Sequence, residues 1–451
     1  MSLGERVVVT AQSIEDRYRS RTQRSAELFT RARRSLPGGN SRQAAFWEPY
    51  PITLERGSGP WLDDVDGNRY LDFMLNATTL IVGHANPMVV EALGEQTRKG
   101  TAFSTPTQVQ VRVAQLLCDR IPSLDTIRFT NSGTEGTLMA IRAAWAFTGK
   151  HKLAKFEGGY HGAHEHVAVS VRPPANRLDP KGPTAIPEYP GQPEGVLRDV
   201  IVLPYNDLAA CDRILRAHKD EIGALIMEPI VSSFGYVPGD PDFLRGIRKL
   251  TEELNIVLIY DEVQSLRVAP GGAQELFGVT PDLSCFGKII GGGLPIGAFG
   301  GRRDIMAQYD PTAAGGARIA HAGTFNANPM TLVAGEAVMR ALTPPIYRRL
   351  AELGDSLRGK LRKTLQATGV PAQVTGVASL FGIHFNARPI KSYRDVVADD
   401  AEMTRGLYTG LLNEGILMQT TCAGALGVMT TETEIDELVG AVDRVVRRLR
   451  D

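Results

Sequence analysis

The stretch NIVLIYDEVQSLRV, Asn255 to Val268, decides the fold. Ile256 to Tyr260 form a continuous apolar run, and it leads without a turn into two acids, Asp261 and Glu262. Such a run suits a strand buried on both faces of a mostly parallel sheet. KLAKFE (152–157), DVIVLPY (199–205) and ALIMEPI (224–230) have the same character, and TIRFT (126–130) reads as a shorter strand. Segments of helical spacing separate them, as in βαβ architecture. The fold class is therefore α/β, with a large domain built on a mostly parallel sheet between helices. Open sheets of this kind bind ligands at the carboxyl ends of their strands. Asp261 stands at such an end. A carboxylate there is costly unless paired, so it either caps a loop or meets a cationic partner.

The flanking regions differ. Residues 13–35 read as one polar helix, with Arg17, Arg19, Arg21 and Arg24 on an exposed face beside Glu15, Asp16 and Glu27. Residues 52–73 read as an antiparallel meander with turns at Gly57-Ser58-Gly59 and Asp66-Gly67-Asn68. A long helix follows Pro344-Pro345, then FGIHF (381–385), a helix near 400–414 and a last helix from Glu432. The expected organisation is an N-terminal helix and meander over 1–75, a large domain over 76–343, and a C-terminal part over 344–451. The first and last of these supply a smaller α+β domain.

Composition excludes several classes. The chain has 451 residues, 43% of them hydrophobic, and 50 Lys plus Arg balance 50 Asp plus Glu. A nucleic-acid binder shows a basic excess or stripe, and none is present. No apolar run approaches the ~20 residues of a membrane helix. Val7 to Val9 is too short for an apolar leader. The four cysteines form no C-x-x-C pair, so a zinc or redox site is not expected, and a reducing, cytoplasmic setting is. His161, His164 and His166 lack accompanying carboxylate or cysteine spacing, and no metal site is expected there.

Chemistry enters through three motifs. In RFTNSGTEG (128–136) a strand ends, Ser132, Gly133 and Thr134 turn the chain, and a helix opens. Free N–H groups and the helix dipole make that end an anion site; the bland alternative is an N-cap. The second is Asp261. The third is Lys288, twenty-seven residues later, before Gly291-Gly292-Gly293. A lysine in an apolar pocket forms a Schiff base with an aldehyde, whereas a lone lysine is usually a surface charge. The glycines alone suggest a dinucleotide-binding module, but Pro295 and the absent strand–helix context argue against it. Two smaller signals are Tyr160 in GGYHG (158–162), placed to stack on a ring, and Thr324 in HAGTFNANP (321–329), a candidate phosphate ligand. In that order on a βαβ chain, the three motifs describe a pyridoxal phosphate site.

NSGTE (131–135), FEGGYHG (156–162), YDEV (260–263), GKIIGGG (287–293), GAFGGRRD (297–304) and GTFNANP (323–329) together resemble class III aminotransferases, among the fold-type I pyridoxal phosphate enzymes. The resemblance runs from about residue 25 to the C-terminus. It is nearest to the branch of glutamate-1-semialdehyde 2,1-aminomutases and β-phenylalanine aminotransferases. It implies a seven-stranded sheet and a homodimer with shared sites. It also implies that Lys288 forms the internal aldimine and shuttles protons, and that Asp261 pairs with the pyridine nitrogen. Val263 and Tyr160 would cover the ring faces, with His161 and Glu228 near the cofactor. Ser132, Gly133 and Thr134 would bind the phosphate, and Thr324 would reach the neighbouring subunit's phosphate.

The same resemblance bears on substrate. The aminomutase pattern has its carboxylate-binding arginine where this chain has Ala44, whereas the β-amino-acid pattern has one where Arg42 stands. An arginine fork suits a carboxylate. This favours an aminotransferase acting on an amino acid, a β-amino acid first, or an amine, with a keto acceptor. The aminomutase-type isomerase is the alternative. A second arginine expected near Thr421 is missing, and Arg318 is the candidate substitute.

Overall fold

The computed structural model describes residues 13–450. Val7 to Val9, the rest of the first twelve residues and Asp451 lie outside that range. The chain divides into two compact units. One comprises residues 87–348 with 390–397; the other holds the remaining N- and C-terminal segments. The boundaries thus fall at 86/87 and 348/349 rather than at 75/76 and 343/344.

The larger unit is built on a seven-stranded sheet. Its strand order is Thr126–Thr130, Gly297–Gly301, Leu283–Gly287, Val257–Asp261, Ile222–Met227, Lys152–Phe156, Val200–Leu203. Every pair is parallel except the two made by Gly297–Gly301. That strand was not expected. GAFGG lacks the β-branched run that marks its neighbours, and close packing dictates its composition instead. A Cβ on Gly300 would come within 2.3 Å of the Thr126 carbonyl oxygen, and one on Gly301 within 2.2 Å of that of Asp282.

The apolar runs are continuous because both faces of the sheet are covered. On one face Ala154, Phe156, Leu225, Met227, Leu258 and Tyr260 pack with the helices Leu208–Ala217 and Pro241–Glu253. On the other, Leu153, Ala224, Ile226, Val257, Ile259 and Phe299 pack with Gly133–Thr148. The residues alternate between the two cores with the period-2 rhythm of a strand.

The other unit joins the two ends of the sequence. Leu54–Ser58, Trp61–Asp64 and Arg69–Asp72 form the antiparallel meander, and Ile416–Leu417 adds to it in parallel beside Arg69–Asp72. Gln373–Thr375, Leu380–His384 and Ala423–Ala425 make a separate antiparallel sheet. Pro344–Thr368 and Glu432–Arg450 are long helices. The expected single helix over 13–35 is two, broken at Thr22: one spans 13–21 and the other Gln23–Ala32. The break is held from outside. The Asp66 carboxylate accepts the N–H groups of Arg24 (2.6 Å) and Ser25 (3.0 Å), capping the second helix.

One helix contact in the larger unit fixes the segment after Leu283–Gly287. Gly335, inside Pro329–Ala341, faces the Ile290 carbonyl so closely that an added Cβ would lie 1.9 Å from its oxygen. Gly335→Ala is therefore expected to destabilise the protein by about 1–3 kcal/mol through overpacking. Gly359, inside Pro344–Thr368, has nothing within 4 Å of an added Cβ. Gly359→Ala is expected to stabilise by about 0.5–1 kcal/mol. Urea denaturation of both variants beside the parent checks the opposite signs.

Candidate active site

Strand register in the larger unit gathers the three motifs. Thr130 pairs with Gly297, which also pairs with Gly287, and Cys285 pairs with Asp261. The chain leaves these strand ends into Ser132, Lys288 and Val263 respectively. Adjacent strands lie about 4.8 Å apart, so the three segments meet at one carboxyl edge within a few strand spacings. Strands Lys152–Phe156 and Ile222–Met227 bring Tyr160, His161 and Glu228 to the same edge.

Close approach there depends on missing side chains. A Cβ on Gly297 would sit 1.9 Å from the Ser132 carbonyl oxygen, and one on Gly162 2.6 Å from Thr134 Oγ1. Cβ atoms on Gly133 and Gly287 would meet the Val263 side chain at 3.1 Å and 3.3 Å. Val263 therefore forms a floor between two glycines. Ser132 is the N-cap of Gly133–Thr148, its side chain accepting the Glu135 N–H. Helix start and phosphate cradle are thus compatible readings of the same residues. Lys288 is half-buried and has φ +50°. A left-handed conformation at a non-glycine residue costs of order 1–3 kcal/mol and persists where the surroundings over-determine it.

Asp261 is 6% exposed and His161 2%. Asp261 Oδ2 lies 3.0 Å from His161 Nδ1, and its Oδ1 accepts the Val263 N–H at 3.1 Å. His161 Nε2 is buried with no protein hydrogen-bond partner. Glu228 accepts the Tyr160 N–H on Oε1 (3.2 Å), and the Ser232 N–H (3.1 Å) and hydroxyl (2.6 Å) on Oε2. Burial raises the Glu228 carboxyl above its usual value, His161 opposes the shift, and Asp261 adds to it. Tyr160 is half exposed.

Other residues stand further off. Thr324 is exposed, in a loop tied to the turn at 131–134 by Asn131 Nδ2 donating to Asn326 Oδ1 at 2.8 Å. Asn131, Asn326 and Ser232 were not singled out in the sequence, because a lone amide or hydroxyl gives no pattern until its partner is known. Arg42 lies in the other unit, exposed, its Nη1 donating to Asn76 Oδ1 at 2.7 Å. Arg318 and Thr421 are exposed. Among the described residues, no cluster of His, Cys, Asp or Glu has the makings of a metal site.

The edge fits pyridoxal 5'-phosphate on its own geometry. A buried, oriented carboxylate suits a protonated ring nitrogen, glycines flanking Val263 leave room for a flat ring, and a helix start suits a phosphate. The half-buried Lys288 amine suits the aldehyde.

Comparisons with known proteins agree. The family model for class-III aminotransferases matches residues 43–446. The glutamate-1-semialdehyde 2,1-aminomutases of Methanothermobacter thermautotrophicus and Bacillus subtilis are similar to this chain. The first is 39% identical over 88% of this chain and 91% of its own length, the second 37% over 94% and 97%. Among solved structures, an omega-transaminase from Sphaerobacter thermophilus is 44% identical, with TM-score 0.90, covering 95% of this chain and 98% of its own. A transaminase with PLP bound is 37% identical, with TM-score 0.88 over 95% and 98%. The β-phenylalanine aminotransferase of Variovorax paradoxus is 35% identical, with TM-score 0.87 over 98% and 97%.

The Glu228 environment gives a pH signature. A carboxyl whose folded-state pKa is raised contributes stability that is present below its unfolded value and lost as pH rises through the folded value. The stability of the cofactor-free parent relative to Glu228→Gln is thus expected to fall as pH climbs above about 4.5. Thermal melts of both proteins across pH 4.5 to 8 read that gap, and a flat gap contradicts the assignment.

Proposed function

The chain belongs to the class-III aminotransferase family, and from that premise we propose that it moves an amino group on pyridoxal 5'-phosphate held by Lys288, by an isomerisation of the aminomutase type. The cofactor follows from the family and its PLP-bound neighbours. The observation that carries the site assignment is the register that aligns Thr130, Gly287 and Asp261 at one sheet edge. The residues at 42 and 44 by themselves favour intermolecular transamination. The aminomutases of two organisms, each matched over nearly its whole length, favour the isomerase instead.

When bound, the cofactor supplies an aldehyde that captures amines and a protonated ring that draws electrons from the carbon losing its proton. This chain's residues do the rest. Asp261 keeps the ring nitrogen protonated, and His161 fixes the direction of the Asp261 carboxylate. The N–H groups after Ser132, at Gly133 and Thr134, grip the phosphate with the helix dipole behind them. Val263 and Tyr160 would hold the ring by its two faces, while Glu228 holds the Tyr160 backbone. Lys288 Nζ, as a free amine, would take a proton from one substrate carbon and return it to another. Arg42, at the position of the β-amino-acid pattern, is the candidate carboxylate fork under the second reading below.

Thr324 serves the phosphate of a second copy in a homodimer. Its exposure supports that, as do the exposed Met88, Val90, Phe103, Val111 and Phe325 in the same unit. No helix among the described residues is long and apolar enough to cross a membrane. A cytoplasmic setting is consistent with four free cysteines.

Transfer between two substrates is the second reading. Ala44, standing where the aminomutase pattern carries arginine, and the 44% identity to an omega-transaminase favour it.

Two outcomes are expected. Lys288→Ala is expected to lower turnover by at least about 10²–10⁴-fold, and borohydride reduction of the parent to fix the cofactor covalently at residue 288. Sustained turnover of glutamate-1-semialdehyde with no acceptor present is expected under the isomerase reading. Reaction that halts after one equivalent until a keto acid is added, with β-amino acids as donors, overturns it for the second reading.

A further inference from the structure

Lys155 is the anomaly of the central sheet. It lies on Lys152–Phe156, between Val200–Leu203 and Ile222–Met227, with Val202 and Ile226 as register partners. It is 0% exposed. A lysine is almost never fully buried unless its charge is paired. Here the ammonium meets three backbone carbonyls instead. Nζ donates to Val169 O at 2.6 Å, to Gly159 O at 3.0 Å and, weakly, to Phe156 O at 3.4 Å.

The Gly159 contact links this lysine to the active site. The carbonyl of Gly159 and the N–H of Tyr160 belong to one planar peptide and point in opposite directions. Lys155 holds the carbonyl end, and Glu228 Oε1 holds the N–H end at 3.2 Å. The peptide is therefore clamped between a buried cation and a buried carboxylate. Tyr160 follows directly, and the next residue, His161, meets Asp261 at 3.0 Å. Val169 O and the 2.7 Å bond from Gly158 N–H to Ser170 O anchor the clamp to the segment behind the loop.

We propose that Lys155 is a positioning residue: by holding the Gly159 carbonyl it sets the tilt of the Gly159–Tyr160 peptide and so aims Tyr160 and His161 at the cofactor. The proposal rests on the cofactor assignment above. Three carbonyl acceptors match the three donors of an ammonium. Burial pulls the amine down to about 7, against the opposing pull of Glu188, Glu228 and Glu157. Lysine retains an ionisable head in an apolar sheet at a cost that an apolar side chain avoids.

The test separates aim from packing. Lys155→Met fills the same space without donors. It is expected to melt somewhat below the parent at pH 7, because the buried Gly159 and Val169 carbonyls lose their donor while relief of the buried charge offsets part of that cost. Its dissociation constant for pyridoxal 5'-phosphate, titrated into the cofactor-free protein, is expected to rise by about tenfold, the order of one lost charge-assisted hydrogen bond. The visible circular dichroism of the bound cofactor is expected to change in shape, since it reads ring orientation directly. Lys155→Gln keeps a donor on a shorter stem and is expected to fall between. Lys152→Met, on the same strand, removes an ion pair with Glu221 and is expected to leave affinity and dichroism as in the parent.

A folded Lys155→Met with parental affinity and an unchanged dichroic band overturns the proposal. So does a lower melting point with unchanged affinity, or failure of both Lys155 variants to fold, either of which makes the lysine a structural staple. Failure of the cofactor assignment itself looks different: the parent then takes up no pyridoxal phosphate and gives no visible band.

Discussion

A carboxylate buried at the carboxyl end of a central strand is the constraint on which this site depends. Asp261 is 6% exposed, with one oxygen 3.0 Å from His161 Nδ1 and the other accepting the Val263 N–H. Burial of a charge is tolerated only with partners, and those partners come from separate segments. His161 is delivered by the loop after Lys152–Phe156, and Val263 by the strand's own continuation. Glu228, a second buried carboxylate, holds the Tyr160 N–H within the same loop. The loop is thus fixed by acids on two neighbouring strands and by a buried lysine on its own. A site assembled this way is pre-organised before any ligand arrives, which electrostatic stabilisation of developing charge requires.

Tight backbone packing supports that arrangement. Gly297 passes so close to Ser132 that no Cβ fits, and Gly133 and Gly287 leave the half-buried Val263 side chain as a surface between them. Lys288 carries a left-handed backbone directly after Gly287. Such strain is held by neighbours, here the helix Pro329–Ala341, whose Gly335 lies against the Ile290 carbonyl. The antiparallel strand Gly297–Gly301 serves the same end. It joins Thr126–Thr130 to Leu283–Gly287 and so sets the spacing between the turn at Ser132 and Lys288.

The residues proposed for the cofactor and the one proposed for a substrate carboxylate belong to different units. Every residue assigned to the cofactor belongs to the larger unit, whereas Arg42 and its partner Asn76 belong to the unit formed by the chain ends. Relatives named for isomerisation and for transamination match it over comparable lengths. The lysine, aspartate and helix start proposed for the cofactor serve either reading equally. The two readings part only at the groups that bind the rest of the substrate.

The sequence determined the α/β class, the strand runs and the order of the chemical motifs. Those depend on local composition: β-branched runs, turn residues and a lysine before glycines each leave a mark in a few consecutive residues. It could not reveal Gly297–Gly301 as a strand, because that strand is specified by what surrounds it and its glycines have no side chain to signal burial. Nor did it show that Thr22 breaks the first helix, since the cap comes from Asp66, more than forty residues away. Only tertiary structure decided that His161 faces Asp261 and that Lys155 faces the Gly159 carbonyl. A hydrogen bond between distant residues depends on the register of the strands that carry them, and that register is set by the packing of the whole sheet.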